Sequence, residues 1–82
     1  MKILILGAGK MGSFFADILS FKHDVAMFDT DLQRLRFTFN TIRMSRPEEI
    51  TDFRPELVIN AATVKYTIDA FKMILPYLSK NC

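Results

Sequence analysis

Residues 2–12 of the chain read KILILGAGKMG, a short apolar run followed by all three glycines of the sequence. The continuous apolar run at residues 3–6, which follows Lys2, is typical of a parallel strand that is covered on both faces. The glycines lie at positions 7, 9 and 12. This G-x-G-x-x-G spacing joins a strand to a helix in folds that bind dinucleotides. The stretch therefore predicts the first strand, turn and helix of such a fold.

Each glycine of the turn has a different expected role. Gly7 lets the chain turn sharply out of the strand, Gly9 leaves the backbone open to a pyrophosphate, and Gly12 lets the helix pack closely on the strand. The amides near Lys10 and Met11 would face the phosphates, because unpaired N–H groups at a helix N-terminus stabilise an anion. A plain connection between strand and helix is the structural alternative.

A mononucleotide phosphate loop shares part of this spacing but is not predicted here. Its G-x-x-x-x-G-K-[ST] pattern needs a lysine after the second glycine, and Ser13 follows Gly12 directly.

The second part of the predicted site is acidic. Asp29 follows Gly7 by 22 residues and comes directly after the apolar run at residues 25–28. A carboxylate there can accept hydrogen bonds from the adenosine ribose and repels a 2′-phosphate, so NAD is favoured over NADP as the cofactor. Thr30, the residue after Asp29, is assigned to the same predicted cofactor site. Alternatively Asp29 or Asp31 caps the next helix, and capping by Asp31 is compatible with ribose binding by Asp29.

The fourth predicted strand ends at the same edge of the sheet. Ala61 and Ala62 are small enough to leave room for the adenosine or its phosphates, and Thr63 either touches the ribose or caps the following helix. Lys65 and Tyr66 are expected in solvent. No catalytic residue is predicted, because His23, the only histidine, precedes the second strand and lies far from the cofactor edge.

The rest of the chain alternates strands with helices. The predicted strands cover residues 2–6, 25–28, about 40–44 and 57–62. The predicted helices cover residues 10–21, 32 to a boundary near Asn40, about 47–53 with Pro47 in the first turn, and about 64–78. Right-handed crossovers give an α/β, Rossmann-like parallel sheet in the order 3-2-1-4. We expect one domain, residues 1–82, that ends before a fifth strand and leaves the fourth as an apolar edge. We interpret it as an amino-terminal fragment of a longer enzyme, with a chain completed by a partner as the alternative.

Apolar residues at helical spacing are expected to pack on the sheet. The residues assigned to this role are Met11, Phe14, Phe15, Ile18 and Leu19 in the first helix and Ile68, Phe71, Leu75 and Leu78 in the last. Pro76 should kink or end the last helix.

Composition excludes several classes of function. The net charge of +2 is too small to suggest nucleic acid or an acidic membrane as partner. The single cysteine, Cys82, cannot form an internal disulfide. The short apolar strand and glycine turn at residues 2–12 fit neither a signal peptide nor a spanning helix, so we expect neither there. We therefore expect a cytoplasmic protein without a metal site.

Three stretches together resemble the amino-terminal region of prephenate dehydrogenases, particularly the bacterial form with a Gly-Lys-Met-Gly turn. They are residues 1–15, the Phe28-Asp29 strand end, and residues 57–67, LVINAATVKYT. Members of that family oxidatively decarboxylate prephenate to 4-hydroxyphenylpyruvate with NAD or NADP in tyrosine synthesis, usually as dimers. The resemblance implies that Gly7, Gly9, Gly12 and Asp29 bind the cofactor.

The family's catalytic histidine and substrate-binding arginines match no residue of this chain. The resemblance thus implies cofactor binding without turnover, with prephenate bound only by a full-length enzyme. Many members also carry a proline soon after the fourth strand, where this chain has Thr63-Val64. A saccharopine-dehydrogenase-like reductase and a non-enzymatic nucleotide-sensing domain are the alternatives.

Overall fold

Four parallel strands form one sheet in the computed structural model, which describes residues 1–35, 41–62, 64–80 and 82. The strands are β1 (Lys2–Leu6), β2 (Asp24–Phe28), β3 (Ile42–Met44) and β4 (Leu57–Asn60). Their order is β3-β2-β1-β4, as the sequence predicts. Ile5 of β1 lies beside Met27 of β2 on one side and Ile59 of β4 on the other. Because all pairs are parallel, the four carboxyl ends meet at one edge.

Four α-helices cover the two faces of this sheet in the described part of the chain. They are α1 (Lys10–Leu19), α2 (Leu32–Leu35), α3 (Glu48–Phe53) and α4 (Thr67–Ile74). A 3-10 turn at Val64–Tyr66 precedes α4, and a second at Leu75–Tyr77 follows it. In these described residues, no helix has the length and apolar character needed to cross a membrane.

Several boundaries differ from the predicted ones. The last α-helix is shorter than residues 64–78, because its first turn is a 3-10 turn and Pro76, which lacks a backbone N–H, ends the α-helical pattern. The first helix ends at Leu19 rather than Phe21, and the fourth strand ends at Asn60 rather than Ala62. The predicted boundary near Asn40 falls outside the described residues.

Side chains of the central strands alternate between two apolar layers. One layer joins Leu4, Leu6, Ala26, Phe28 and Met44 to Ile50 and Phe53 of α3 and Ile74 of α4. The other joins Ile3, Ile5, Ala8, Val25 and Met27 to Ala16 of α1 and Leu35 of α2. Both faces of β1 and β2 are therefore buried, which explains why their sequences are continuously apolar rather than alternating.

The buried stripe of α1 is narrower than predicted. Gly12 and Ala16, one turn apart, are its buried residues, and Phe15 and Leu19 pack partly beside them. Met11, Phe14 and Ile18 are each more than half exposed, so the prediction that they face the sheet was wrong. The two small residues decide the orientation, because only a stripe without bulky side chains lets the helix lie close to the sheet. The set Met11, Phe14 and Ile18 is called the outer α1 stripe below.

The packing face of α4 is also rotated from the predicted one. Ile74 is fully buried, and Ala70, Tyr77 and Leu78 pack partly against the same layer. Ile68, Phe71 and Leu75 are exposed, so of the four residues predicted to pack only Leu78 does so. On the described strands, β4 pairs with β1 alone and forms one end of the sheet.

Candidate functional site

The glycine turn after β1 is held in place by two of its three glycines. Gly7 has φ +91°, a conformation that residues with a side chain rarely adopt, and its N–H donates to the Phe28 carbonyl oxygen at 2.9 Å. A Cβ on Gly12 would lie 1.9 Å from the Gly7 carbonyl oxygen. The helix therefore rests directly on the turn, and Gly7 and Gly12 have the structural roles expected of them.

Gly9 is different, because nothing in the described fold requires a glycine there. Its φ of −73° and ψ of −165° are extended values open to any residue, and a Cβ added to it would meet no atom within 4 Å. The residue is the N-cap of α1, where it provides no side-chain hydrogen bond. Space beside a bare backbone at a helix N-terminus is what a bound anion needs.

Asp29 connects the glycine turn to the end of β2. Its Oδ2 accepts a hydrogen bond from the Ala8 N–H at 2.9 Å, and its Oδ1 accepts one from the Asp31 N–H at 2.9 Å. A carboxylate has about four lone-pair sites, so each oxygen can still accept a hydrogen bond from a ligand hydroxyl. The carboxylate is thus fixed at the edge of the turn rather than directed into bulk solvent.

The neighbouring acidic residue has the capping role predicted for it. Asp31 Oδ1 accepts a hydrogen bond from the Gln33 N–H at 3.0 Å, in the first turn of α2. Capping by Asp31 and positioning of the turn by Asp29 therefore occur together.

A cleft of about 360 Å³ opens at the carboxyl edge of the sheet, between the glycine turn, the loop after β2 and the helix α4. Its volume lies within the range of roughly 300–1,000 Å³ that is usual for ligand pockets. It is lined by Leu6, Gly7, Gly9, Phe28, Asp29, Thr30, Asp31, Ala61, Ala62, Tyr66, Asp69, Ala70 and Met73. The charged side chains that the described residues contribute to the lining are all carboxylates. Any anion bound here would depend on backbone N–H groups for its partners.

Most residues of the predicted site come together in this cleft. Six of them line it: Gly7, Gly9, Asp29, Thr30, Ala61 and Ala62. Lys10 and Met11 are exposed on the first turn of α1 and do not line it, and Gly12 lies beneath the turn. Thr63 lies outside the described residues.

The contribution of α4 was missed by the sequence reasoning. Tyr66, Asp69, Ala70 and Met73 line the cleft, and none of them was included in the predicted site. Tyr66 is more than half exposed, as expected. The i, i+3, i+4 and i+7 spacing of these four residues marks one face of a helix that starts just after a strand. That spacing is the signal that could have identified them.

His23 lies where the sequence predicted, away from the site. It occupies the turn between α1 and β2, where its N–H donates to the Leu19 carbonyl oxygen at 3.0 Å. It is half-buried rather than fully exposed. The cleft is at the other end of β2, so the geometry gives His23 no part in it. In the part of the chain that the structure describes, no group of three or more His, Cys, Asp or Glu side chains could hold a metal ion.

Comparison with known proteins supports the fold. No family model and no curated protein matches the chain. Among solved structures, the crystal structure of prephenate dehydrogenase from A. aeolicus, in complex with hydroxyphenyl propionate and NAD+, matches all of this chain with a TM-score of 0.87 and 22% sequence identity. The chain spans 31% of that enzyme's length. The likeness shows that the chain has a Rossmann-like fold.

Proposed function

We propose that the chain is the NAD-binding portion of a prephenate dehydrogenase. The observation that carries the proposal is the open space at Gly9, which shares one cleft with the fixed carboxylate of Asp29. The likeness to an enzyme solved with NAD+ and hydroxyphenyl propionate, and the resemblance of residues 1–15 and 57–67, support the choice of family.

The pyrophosphate of NAD would lie over Gly9 at the N-terminus of α1. The first turn of α1 holds no acidic side chain that would repel it. A helix N-terminus carries roughly half a positive charge together with unpaired N–H donors, which stabilise an anion by about 0.3–2 kcal/mol. The N–H groups near Lys10 and Met11 would provide these donors, while their side chains stay in solvent. Binding therefore needs no basic residue in the cleft.

The adenosine ribose would lie at Asp29. The Ala8 and Asp31 N–H groups hold the carboxylate in place, so its remaining lone pairs can accept hydrogen bonds from the two ribose hydroxyls without rearrangement. A 2′-phosphate at about 4 Å would be repelled by roughly 4 kcal/mol per unit charge at an effective dielectric constant near 20. The structure therefore favours NAD over NADP as the cofactor.

NAD bound here would supply the hydride acceptor for oxidative decarboxylation of prephenate. The residues of this chain would bind and orient it; we propose that the groups acting on the substrate, and the contacts of a dimer, belong to other parts of a longer cytoplasmic enzyme. The described residues at the cleft include no histidine or cysteine that could act as an acid or a base. The chain by itself would bind NAD and have no turnover.

Titration calorimetry of the purified chain with NAD and NADP tests the cofactor assignment. We expect NAD to bind more tightly, by on the order of a thousandfold if the repulsion at Asp29 is fully expressed. Equal affinities, or tighter binding of NADP, would contradict the role of Asp29.

The substrate is tested separately, in the complete enzyme. We expect reduction of NAD to depend on prephenate, and to be lost in the Gly9→Ala variant through weaker cofactor binding. Reduction of NAD with saccharopine but not with prephenate would refute the choice of family and leave the NAD site intact.

A further inference from the structure

The proposed positions of the pyrophosphate and the ribose use only part of the cleft and leave one wall without a ligand group. Tyr66, Asp69, Ala70 and Met73 form this wall, which we call the α4 wall, opposite the loop that holds Asp29. The adenine ring is the remaining part of the adenosine half of NAD. It is joined to the ribose, so a ribose at Asp29 places the base within the same cleft.

Most of the α4 wall suits the faces of a flat aromatic ring. Ala70 and Met73 are apolar, and Ala61 and Ala62 line the cleft beside them. A thioether makes favourable contacts with aromatic rings, and an exposed tyrosine ring such as that of Tyr66 offers a surface on which a base can stack. These contacts would hold any purine and would not distinguish one purine from another.

Asp69 is the one charged side chain of the α4 wall, and it is exposed to solvent. Its carboxylate makes no hydrogen bond or ion pair with the described part of the chain. An ionised carboxylate only accepts hydrogen bonds, so it pairs with a donor and repels an acceptor. On the base edge of adenine the exocyclic amine is the donor, and the ring nitrogens are acceptors.

We propose that Asp69 accepts a hydrogen bond from the exocyclic amine of adenine and thereby makes the site prefer adenine over hypoxanthine dinucleotides. The inference rests on the proposed function, since it places the base of NAD against the α4 wall. Hypoxanthine carries a carbonyl oxygen where adenine carries the amine, and its N1 carries a proton. That oxygen would face the carboxylate as a second acceptor, which is the repulsive element that specificity requires.

The test compares NAD with nicotinamide hypoxanthine dinucleotide, which has an oxygen in place of the amine and a proton on the adjacent N1. We expect the wild-type chain to bind NAD more tightly by about 10- to 100-fold, the usual effect of a lost hydrogen bond to a charged group. In Asp69→Asn the carboxamide offers both a donor and an acceptor, so the ratio of the two affinities should fall toward one.

Asp52→Asn is the matched control. Asp52 is also an exposed helical aspartate, but it belongs to α3 and does not line the cleft. The Asp52→Asn substitution removes the same charge at a position outside the cleft, so this variant should keep the wild-type preference for NAD. Thermal unfolding of all three proteins checks that the exposed substitutions leave the fold intact.

The outcomes separate this inference from the function on which it rests. If NAD binds to the wild-type chain with no preference over the hypoxanthine analogue, the role of Asp69 is wrong and the NAD site stands. The same conclusion follows if Asp69→Asn keeps the full preference, or if Asp52→Asn loses as much of it. If neither dinucleotide binds, the proposed function itself fails.

Discussion

Replacing Gly12 by alanine tests how closely α1 must approach the glycine turn. The new Cβ would lie 1.9 Å from the Gly7 carbonyl oxygen, where ordinary contacts are 3.4–4 Å. The oxygen belongs to the backbone of a turn whose N–H is bonded to Phe28, so it cannot rotate away. The methyl group of Met27, at 3.3 Å from the same Cβ, could adjust, because it ends a flexible side chain. The helix must therefore move by more than 1 Å.

Two opposing effects set the magnitude for Gly12→Ala. Alanine favours an α-helix over glycine by about 1 kcal/mol, which alone would stabilise the protein. Overpacking costs about 1–3 kcal/mol and sometimes more; because the overlap here is with rigid backbone, we take the upper part of this range, about 2–3 kcal/mol. We expect the free energy of unfolding to fall by about 1–2 kcal/mol, from a total of about 4–12 kcal/mol for a chain of this length.

Urea and thermal unfolding followed by circular dichroism measure this loss. A loss of about 1 kcal/mol should lower the melting temperature by roughly 4–8 °C in a domain of this size. Gly9→Ala is the control, because its Cβ has no neighbour within 4 Å. A Gly12→Ala variant as stable as wild type would refute the close contact between α1 and the turn.

Three further predictions test other parts of the structure. Asp29→Asn leaves one oxygen acceptor for two backbone N–H groups, so the free energy of unfolding measured in urea should fall by about 1 kcal/mol. Calorimetry should show weaker discrimination against NADP. An Asp29→Asn variant as stable as wild type would contradict both hydrogen bonds. Arg54→Gly relieves a φ of 54° at the end of α3 and should raise the free energy of unfolding by about 0.5–1 kcal/mol; a lower free energy would contradict the left-handed backbone at Arg54. Phe14→Ser on the outer α1 stripe should change this free energy by less than about 0.5 kcal/mol, whereas Phe53→Ala should lower it by about 3 kcal/mol. Comparable losses at Phe14 and Phe53 would show that the outer α1 stripe is buried.

The strands and the glycine turn could be predicted because their physical requirements are local. A continuous apolar run such as residues 3–6 is stable only when both faces are covered, and the spacing of Gly7, Gly9 and Gly12 defines a turn that few other structures need. The carboxyl edge of a parallel sheet then brought Asp29 and Ala61 to one cleft, as expected.

The orientation of the helices could not be predicted in the same way. Apolar residues occupy much of the circumference of α1, so periodicity alone does not identify which of them are buried. The small volumes of Gly12 and Ala16 decide it, because they allow the closest approach to the sheet. For α4, the 3-10 turn at Val64–Tyr66 sets the rotation with which the helix begins. That rotation brings Asp69 to the cleft and exposes Phe71. The apolar residues alone do not indicate it, whereas the spacing of Tyr66, Asp69, Ala70 and Met73 does.

The most direct test of the NAD site is the affinity for NAD of Gly9→Ala, measured by titration calorimetry beside its stability in urea. We expect the free energy of unfolding to be unchanged or raised by about 0.4–1 kcal/mol, because the backbone at Gly9 suits any residue and alanine restricts the unfolded chain. We also expect the affinity for NAD to fall at least about tenfold, because the methyl group would occupy the space needed by the pyrophosphate. A stable Gly9→Ala protein that binds NAD as tightly as wild type would contradict the site.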